Sequence, residues 1–127
     1  MPLVRITLKM GHSTEEHRAI SDGIYQAMLE TIKMPEHDRF QVILEQAEDN
    51  LVADETYLNI QRTGNTVFVE ITLLRGRTVE VKRELYRRIA ERLSANPGIP
   101  KEDILIVLTE NDAADWSFGM GEAQYAK

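Results

Sequence analysis

The stretch that decides the fold is TVFVEITLLRGRT, residues 66–78, a β-rich apolar run that ends in a glycine and a hydroxyl residue. When the chain is slid by 65 positions, this stretch falls on residues 1–13, and Gly76-Arg77-Thr78 falls on Gly11-His12-Ser13. The match continues without a gap to about residue 46. Apolar residues keep one helical spacing in both copies: Ile20, Ile24 and Met28 in the first, Leu85, Ile89 and Leu93 in the second. We interpret the shared offset as a duplication of one structural unit.

Each copy has the pattern of a β-α-β unit. Residues 3–8 and 66–74 are predicted to form the first strand of each unit, and residues 40–44 and 104–109 the second. The apolar helical spacing lies between the two strands in both cases. A β-helix-β crossover makes the two strands of a unit parallel, so both helices are expected to cover one face of the sheet.

The helix boundaries are marked by local signals. In the first copy Ser13 and Glu16 form an S-x-x-E capping box, whereas the second copy keeps Thr78 but has Val81 in place of the acid. Both predicted helices stop at a proline, Pro35 in one copy and Pro97 in the other. Between the copies, residues 57–60 are a candidate short strand.

We therefore predict an α+β fold in which two fused β-α-β units form a four-stranded mixed sheet with two helices on one face. The units span about residues 2–46 and 66–111, and a tail of residues 112–127 follows. A chain of 127 residues is expected to form a single domain. Strands such as residues 104–108 are apolar on both sides, and no third layer remains to cover the second face. This predicts a homo-oligomer.

Composition and charge exclude several classes of function. The net charge of -6 argues against a nucleic-acid binder, which needs a positive footprint. No stretch approaches the ~20 apolar residues of a membrane span, and the start of the chain lacks the features of a signal peptide, so a cytoplasmic protein is expected. The chain has no cysteine, and His12, His17 and His37 lack metal-ligand spacing and are expected at the surface. We predict neither a metal nor another cofactor.

Three features together carry a resemblance to a known family: Pro2 directly after Met1, the duplicated β-α-β pattern, and the tail segment ADWSFGMG at residues 114–121. With these features the chain resembles the malonate semialdehyde decarboxylases, a group within the tautomerase superfamily. The resemblance implies a trimer with Pro2 as the catalytic residue. It also implies a catalytic Asp38, in the context PEHDRFQ at residues 35–41.

The same resemblance implies that Arg75 and Arg77, separated by one residue, hold the substrate, and that Trp116 contributes to the site. After Phe118 the chain carries Met120 and Glu122, where the decarboxylases are more basic. This departure bears on the identity of the substrate.

The residues themselves are suited to acid–base chemistry on a small oxo acid. Without Met1, Pro2 is a secondary amine, and an α-amino group titrates at about 8 in a model peptide. Local sequence also allows Pro2 merely to begin an edge strand. Arg75 and Arg77 can hold a carboxylate, and their equivalents in the first copy are not basic, so the fold does not require them. The alternative is a solvated basic turn.

Asp38 and the aromatic residues of the tail each allow two interpretations. Asp38 is either a general base near Pro2 or a loop residue bonded to local backbone, and its equivalent Asp103 in the second copy favours the latter. Arg39 is a candidate partner for Asp38 or for a neighbouring subunit. Trp116 and Phe118 are expected to wall a small substrate-binding pocket or to pack the tail against another subunit.

We therefore expect an enzyme that acts on a small carboxylate substrate. Arg75 and Arg77 hold it, Pro2 is the acid or base and Asp38 assists. The resemblance implies decarboxylation of malonate semialdehyde to acetaldehyde and carbon dioxide. The alternatives are keto–enol tautomerisation of a phenylpyruvate-like 2-oxo acid, hydration of an unsaturated acid, and a non-catalytic ligand-binding oligomer.

Overall fold

The computed structural model describes residues 2–127. Along the chain the strands and helices are β1 (Leu3–Lys9), α1 (Thr14–Thr31), β2 (Phe40–Gln46), β3 (Val67–Leu74), α2 (Val79–Ala95) and β4 (Ile104–Asn111). The predicted fold is confirmed: two β-α-β units join in one four-stranded mixed sheet. Within residues 2–127 we find no helix with the length and apolar character that a membrane crossing requires.

The sheet has the order β2-β1-β3-β4. The strands of each unit are parallel, β1 with β2 and β3 with β4, as the crossover rule predicts. The two units meet through the antiparallel pair of β1 and β3. Because β1 and β3 run in opposite directions, the start of the first unit lies beside the end of the β3 strand of the second.

The core lies between one face of the sheet and the two helices. Alternate residues of β1 and β3 point into it: Val4, Ile6, Leu8, Val67, Val69, Ile71 and Leu73 are all buried. The helices close it with their predicted apolar stripes, and Ile20, Ile24, Met28, Leu85, Ile89 and Leu93 are buried too. Capping follows the sequence pattern, with a reciprocal box of Ser13 and Glu16 on α1 and a single Thr78 cap on α2.

The duplication extends beyond the strands and helices. We call residues 65 positions apart repeat mates. A short 3₁₀ turn follows the last strand of each unit, at Glu48–Asn50 and at Ala113–Asp115, so the linker and the tail begin alike. A side-chain contact recurs as well: His17 lies 3.3 Å from Glu45, and its repeat mate Lys82 lies 3.0 Å from Glu110.

The segment between the units differs from its prediction. Residues 57–60 do not form a strand, because Tyr57–Asn59 is a 3₁₀ turn in which Leu58 has a left-handed φ of 60°. Arg62 holds this turn through bonds from one Nη1 to the carbonyl oxygens of Asp54, Tyr57 and Ile60. Bonding of the backbone by the Arg62 side chain outweighs the β propensity of the segment.

The second face of the sheet carries an apolar surface in this single chain. Its large exposed side chains come from three strands: Leu3, Phe40, Val42, Leu105 and Val107. Monomeric proteins rarely expose a contiguous apolar patch of this kind without a partner.

Candidate active site

Strand directions bring the predicted catalytic residues to one edge of the sheet. Leu3 at the start of β1 pairs with Phe40 at the start of β2 and with Thr72 near the end of β3. Pro2 therefore lies beside the turn that leads into β2, which carries Asp38, and beside the end of β3, where Arg75 and Arg77 follow. Residues far apart in sequence converge here because β1 is parallel to one neighbour and antiparallel to the other.

Pro2 itself is buried at the entrance of β1. Met1, whose removal would free the Pro2 nitrogen, lies outside the described residues.

Asp38 lies in the short turn between α1 and β2. Its N–H approaches the carbonyl oxygen of Pro35 at 3.4 Å, and in the second unit the N–H of Asp103 makes the same turn with Pro100 at 2.9 Å. The side chain of Asp38 is half-buried, and its Oδ2 is shielded from solvent.

The two aspartates differ in what their carboxylates do. Asp103 is fully buried, and its two oxygens accept from the N–H of Thr63 at 2.9 Å and from the Thr63 hydroxyl at 2.6 Å. The Asp103 carboxylate is therefore held by a residue 40 positions away and not by local backbone. A catalytic Asp38 stays a prediction.

Arg39 turns away from Asp38. Its Nη2 donates to the Ser21 hydroxyl at 2.8 Å and to Asp22 at 2.5 Å, and its guanidinium lies 4.6 Å from the ring centre of Tyr25. Arg39 therefore fastens the start of β2 to α1, and an ion pair with Asp38 is not its role within this chain.

Arg75 and Arg77 leave β3 in different directions. Strand β3 ends at Leu74, and Gly76 has φ 128°, a conformation that suits glycine and breaks the alternation of a strand. Arg75 is largely exposed, with its Nε 3.2 Å from Oδ1 of Asp112. The Arg75 guanidinium can leave Asp112 and bind a ligand with little loss of stability, because an exposed ion pair contributes little to the free energy of unfolding.

Arg77 is more firmly placed. It is half-buried, with Nη1 2.9 Å from the carbonyl oxygen of Leu74 and Nη2 3.4 Å from that of Ile32. Ile32 caps the C-terminal end of α1, where a cation is favoured. Arg77 thus connects the end of β3 to the segment that leads to Asp38. That both arginines hold one carboxylate stays a prediction.

The tail forms a cavity of about 390 Å³ over this edge of the sheet. The rings of Trp116 and Phe118 stack with 5.3 Å between their centres and 6° between their planes, and Phe118 also lies 5.9 Å from Phe40. The cavity is lined by Leu3, Phe40, Thr72, Asn111, Asp115, Trp116, Ser117 and Phe118. An apolar wall with a few polar groups is the usual composition of a small-molecule site.

Several of these residues were not predicted from the sequence. Asn111 accepts from the indole N–H of Trp116 at 2.7 Å and so fixes the tail on the last residue of β4. Thr72 contributes a hydroxyl from the sheet face, and Tyr125 meets Phe118 edge to face at 5.2 Å. Phe40, Asp115 and Ser117 had a signal in the sequence, since they lie in the segments PEHDRFQ and ADWSFGMG.

Glu110 is a negatively charged residue near Arg75. Lys82 donates to Glu110 at 3.0 Å, and this hydrogen bond is the main reason why the pKa of Glu110 is lowered. The N–H of Gly76 and the charge of Arg75 act in the same direction. Glu110 therefore stays ionised near the arginine pair.

His37 is exposed, as predicted, and lies in the turn that carries Asp38, whereas His12 and His17 lie apart from this edge and are less exposed than predicted. His12 and His17 are half-buried, and His12 lies 3.2 Å from Glu16. Within residues 2–127, no group of three or more histidine, aspartate and glutamate side chains has an arrangement that would hold a metal ion.

Comparisons with known proteins agree with this architecture. Family models of tautomerase enzymes match residues 38–119 and 2–59. Probable tautomerase YusQ of Bacillus subtilis (strain 168) is 42% identical over 124 residues, which cover 98% of each chain. The chain therefore belongs to the tautomerase family and is an enzyme of the tautomerase superfamily.

Two solved structures refine the similarity. FG41 malonate semialdehyde decarboxylase, inhibited by 3-bromopropiolate, is 37% identical and superposes with a TM-score of 0.91 over 97% of this chain and 93% of that one. A second malonate semialdehyde decarboxylase, whose crystal structures address decarboxylase and hydratase activities, is 28% identical with a TM-score of 0.90 over 97% and 95% of the two chains. The resemblance to the decarboxylase group is thereby confirmed.

Proposed function

We propose that this enzyme decarboxylates malonate semialdehyde, with Pro2 as the catalytic acid or base. The observation that supports the proposal is the strand register, in which Leu3 pairs with Phe40 and with Thr72 at one edge of the sheet, beside an aromatic cavity. The chain segments that carry Pro2, Asp38, Arg75 and Arg77 adjoin these three residues. The similarity to FG41 malonate semialdehyde decarboxylase over almost the whole chain supports the choice of substrate.

Pro2 supplies the electron sink. Loss of carbon dioxide from a 3-oxo acid leaves an electron pair at the neighbouring carbon, and a polarised carbonyl group accepts it. A protonated Pro2 polarises the aldehyde oxygen by a hydrogen bond, or a neutral Pro2 forms a Schiff base with the aldehyde carbon. Protonation of the carbon then gives acetaldehyde on the first route; on the second it gives an iminium, and the water released when the Schiff base formed is added back to yield acetaldehyde and free Pro2. On either route one proton is consumed for each carbon dioxide released.

Arg75 and Arg77 bind the carboxylate, and Asp38 orients water or substrate beside Pro2. Arginine suits this role because its planar guanidinium donates two parallel hydrogen bonds to a carboxylate and stays charged at all working pH values. Binding of the carboxylate fixes the distance between the breaking carbon–carbon bond and the Pro2 nitrogen.

The aromatic wall keeps bulk water away from the reacting carbonyl. Trp116 and Phe118 cover the cavity from the tail, and Leu3 and Phe40 form its floor. In a drier cavity the interaction between Pro2 and the carbonyl oxygen is stronger.

We also propose that the enzyme is a homo-oligomer, a trimer by its family resemblance, assembled through the second face of the sheet. The exposed apolar side chains of β1, β2 and β4 on that face support this assembly. The cavity opens on the same face, since Leu3, Phe40 and Thr72 belong to it, so neighbouring subunits would complete its walls.

The test is proton NMR of malonate semialdehyde with enzyme whose Met1 is shown to be absent by mass spectrometry. We expect rapid formation of acetaldehyde. A Pro2→Ala variant should be slower by at least about 100-fold, the usual scale of acid–base catalysis. A preparation that retains Met1 is the matched control, because its Pro2 nitrogen is a non-basic amide. Absence of acetaldehyde from the processed enzyme would refute the assignment.

Keto–enol tautomerisation of a phenylpyruvate-like acid is the second candidate. It is favoured by the aromatic stack of Trp116 and Phe118, which suits an aryl ring, and by the similarity to probable tautomerase YusQ. The ultraviolet absorbance of enol phenylpyruvate, followed with the same two preparations, distinguishes it from the decarboxylase.

A further inference from the structure

The 3₁₀ turn that follows the last strand of each unit differs between the units at two positions. Its backbone bond is the same in both: the N–H of Asn50 donates to the carbonyl oxygen of Ala47 at 2.9 Å, and the N–H of Asp115 donates to that of Asp112 at 3.0 Å. Asn50 and Asp115 are repeat mates, as are Ala47 and Asp112, so these positions carry carboxylates only in the second unit. Since the first turn forms without carboxylates there, the fold does not require them.

Asp115 brings one of these carboxylates to the aromatic cavity. Among the lining residues within the described part of the chain, residues 2–127, only Asp115 has a charged side chain. Its Oδ2 accepts from the Asp112 N–H at 2.9 Å, whereas its Oδ1 makes no hydrogen bond within the same residues. A carboxylate in the wall of a cavity favours ligand groups that donate hydrogen bonds and repels anions.

The cations near the cavity limit how many carboxylates a ligand can bring. Arg75 lies 3.2 Å from Asp112, and Lys82 lies 3.0 Å from Glu110. Arg77 instead donates to two backbone carbonyl oxygens. A ligand with one carboxylate can match the charge of Arg77 without separating either ion pair. A second carboxylate would have to break one of these pairs or lie beside Asp115 without a cation.

Resting on the proposed function, we propose that Asp115 is the specificity-determining residue that restricts the enzyme to monocarboxylic oxo acids and excludes dicarboxylic ones. The substrate carboxylate lies with the arginines, and the uncharged end of the substrate lies in the cavity that Asp115 lines. A second carboxylate at that end would meet the Asp115 carboxylate in a partly dehydrated cavity, where like charges repel more strongly than in bulk water. The restriction applies to both candidate reactions, since malonate semialdehyde and phenylpyruvate each carry one carboxylate.

The test uses Trp116, which lines the cavity and is the only tryptophan of the chain, so its fluorescence reports binding at this place. The probes are succinate and its monoamide succinamate, which has the same length and one carboxylate fewer. We expect wild-type enzyme to bind succinamate at least about tenfold more tightly than succinate. In Asp115→Asn, which keeps an acceptor oxygen for the Asp112 N–H, this ratio should fall by at least about fivefold. An unchanged ratio in D115N, or a wild type without preference, would overturn the proposal.

The matched control is Asp49→Asn, which removes one negative charge from the exposed turn of the first unit. Its ratio of the two dissociation constants should stay within about twofold of wild type. An equal fall of the ratio in D49N and D115N would assign the effect to net charge and overturn the proposal. The binding measurement does not need turnover. If the ratios behave as expected but the enzyme forms no acetaldehyde, the restriction to monocarboxylic acids stands and only the decarboxylase assignment fails.

Discussion

The indole N–H of Trp116 donates a 2.7 Å hydrogen bond to Oδ1 of Asn111, and this bond joins the tail to the last residue of β4. Both residues line the aromatic cavity. Because Phe118 stacks on Trp116, this bond helps to position the aromatic wall, together with the contacts of Phe118 with Phe40 and Tyr125.

Asn111→Ala should therefore make the positions of Trp116 and Phe118 less well fixed. The indole N–H loses its partner, at a cost of about 1 kcal/mol, and the substrate meets a less ordered cavity. We expect KM to rise by roughly three- to tenfold, with a small effect on the unfolding midpoint, in steady-state kinetics and thermal melts. The matched control is Gln46→Ala, the repeat mate at the end of β2. An equal change of KM in both variants would contradict this role of Asn111.

The local signals of the sequence predicted most of the fold. The caps and the prolines are properties of neighbouring residues, and the 65-residue offset repeats the same local pattern in both units. The strands and helices therefore lie where they were expected. Residues 57–60 were assigned wrongly because Arg62, a residue outside the segment, binds the carbonyl groups of Tyr57 and Ile60 and that of Asp54 before them.

For the candidate site, the sequence predicted which chain segments meet, but not the directions of their side chains. Strand order alone brings Pro2 and Asp38 to one edge, but the directions of Arg75 and Arg77 depend on φ at Gly76, which no periodicity reveals. Asn111 was missed because its role is a contact with the tail, and the tail has no regular pattern.

Stability should fall at acidic pH in part through Glu30, which connects the two helices. Arg88 donates to Glu30 from Nε at 2.8 Å, and Arg92 also bonds to it. The Arg88 hydrogen bond, with a contribution from Arg92, lowers the pKa of Glu30 below its ordinary value of 4.5. A lowered pKa contributes stability that is complete above 4.5 and is lost as the pH falls from there through the folded-state pKa.

Glu30→Gln should accordingly cost about 0.5–1 kcal/mol of unfolding free energy at pH 7, since the side chains are partly solvated. The difference from wild type should disappear once the pH lies below the folded-state pKa. Urea denaturation at fixed protein concentration measures both quantities. Arg88→Gln in the Glu30→Gln background should have less effect than in wild type, and additive effects would show that the pair does not interact.

The apolar sheet face should control assembly. Val107 is 45% exposed in the single chain, on the face that carries Leu105 and Phe40. Val107→Glu would place a charge in a buried interface, and we expect dissociation at micromolar concentration in light scattering after size exclusion. Arg83→Glu, on an exposed position of α2, is the control and should keep the wild-type mass. A monomeric wild type would contradict the proposed oligomer.

Asp38 and Asp103 are repeat mates in the same turn, and their substitutions should separate activity from stability. Asp103→Asn disturbs a fully buried carboxylate bound by Thr63, so unfolding should become easier by about 1–3 kcal/mol while kcat of the folded enzyme stays near wild type. Asp38→Asn should instead lower kcat by at least about 100-fold and alter the pH profile, with little change in urea denaturation. If Asp38→Asn were equally destabilising and retained kcat, Asp38 would be a loop residue like its mate.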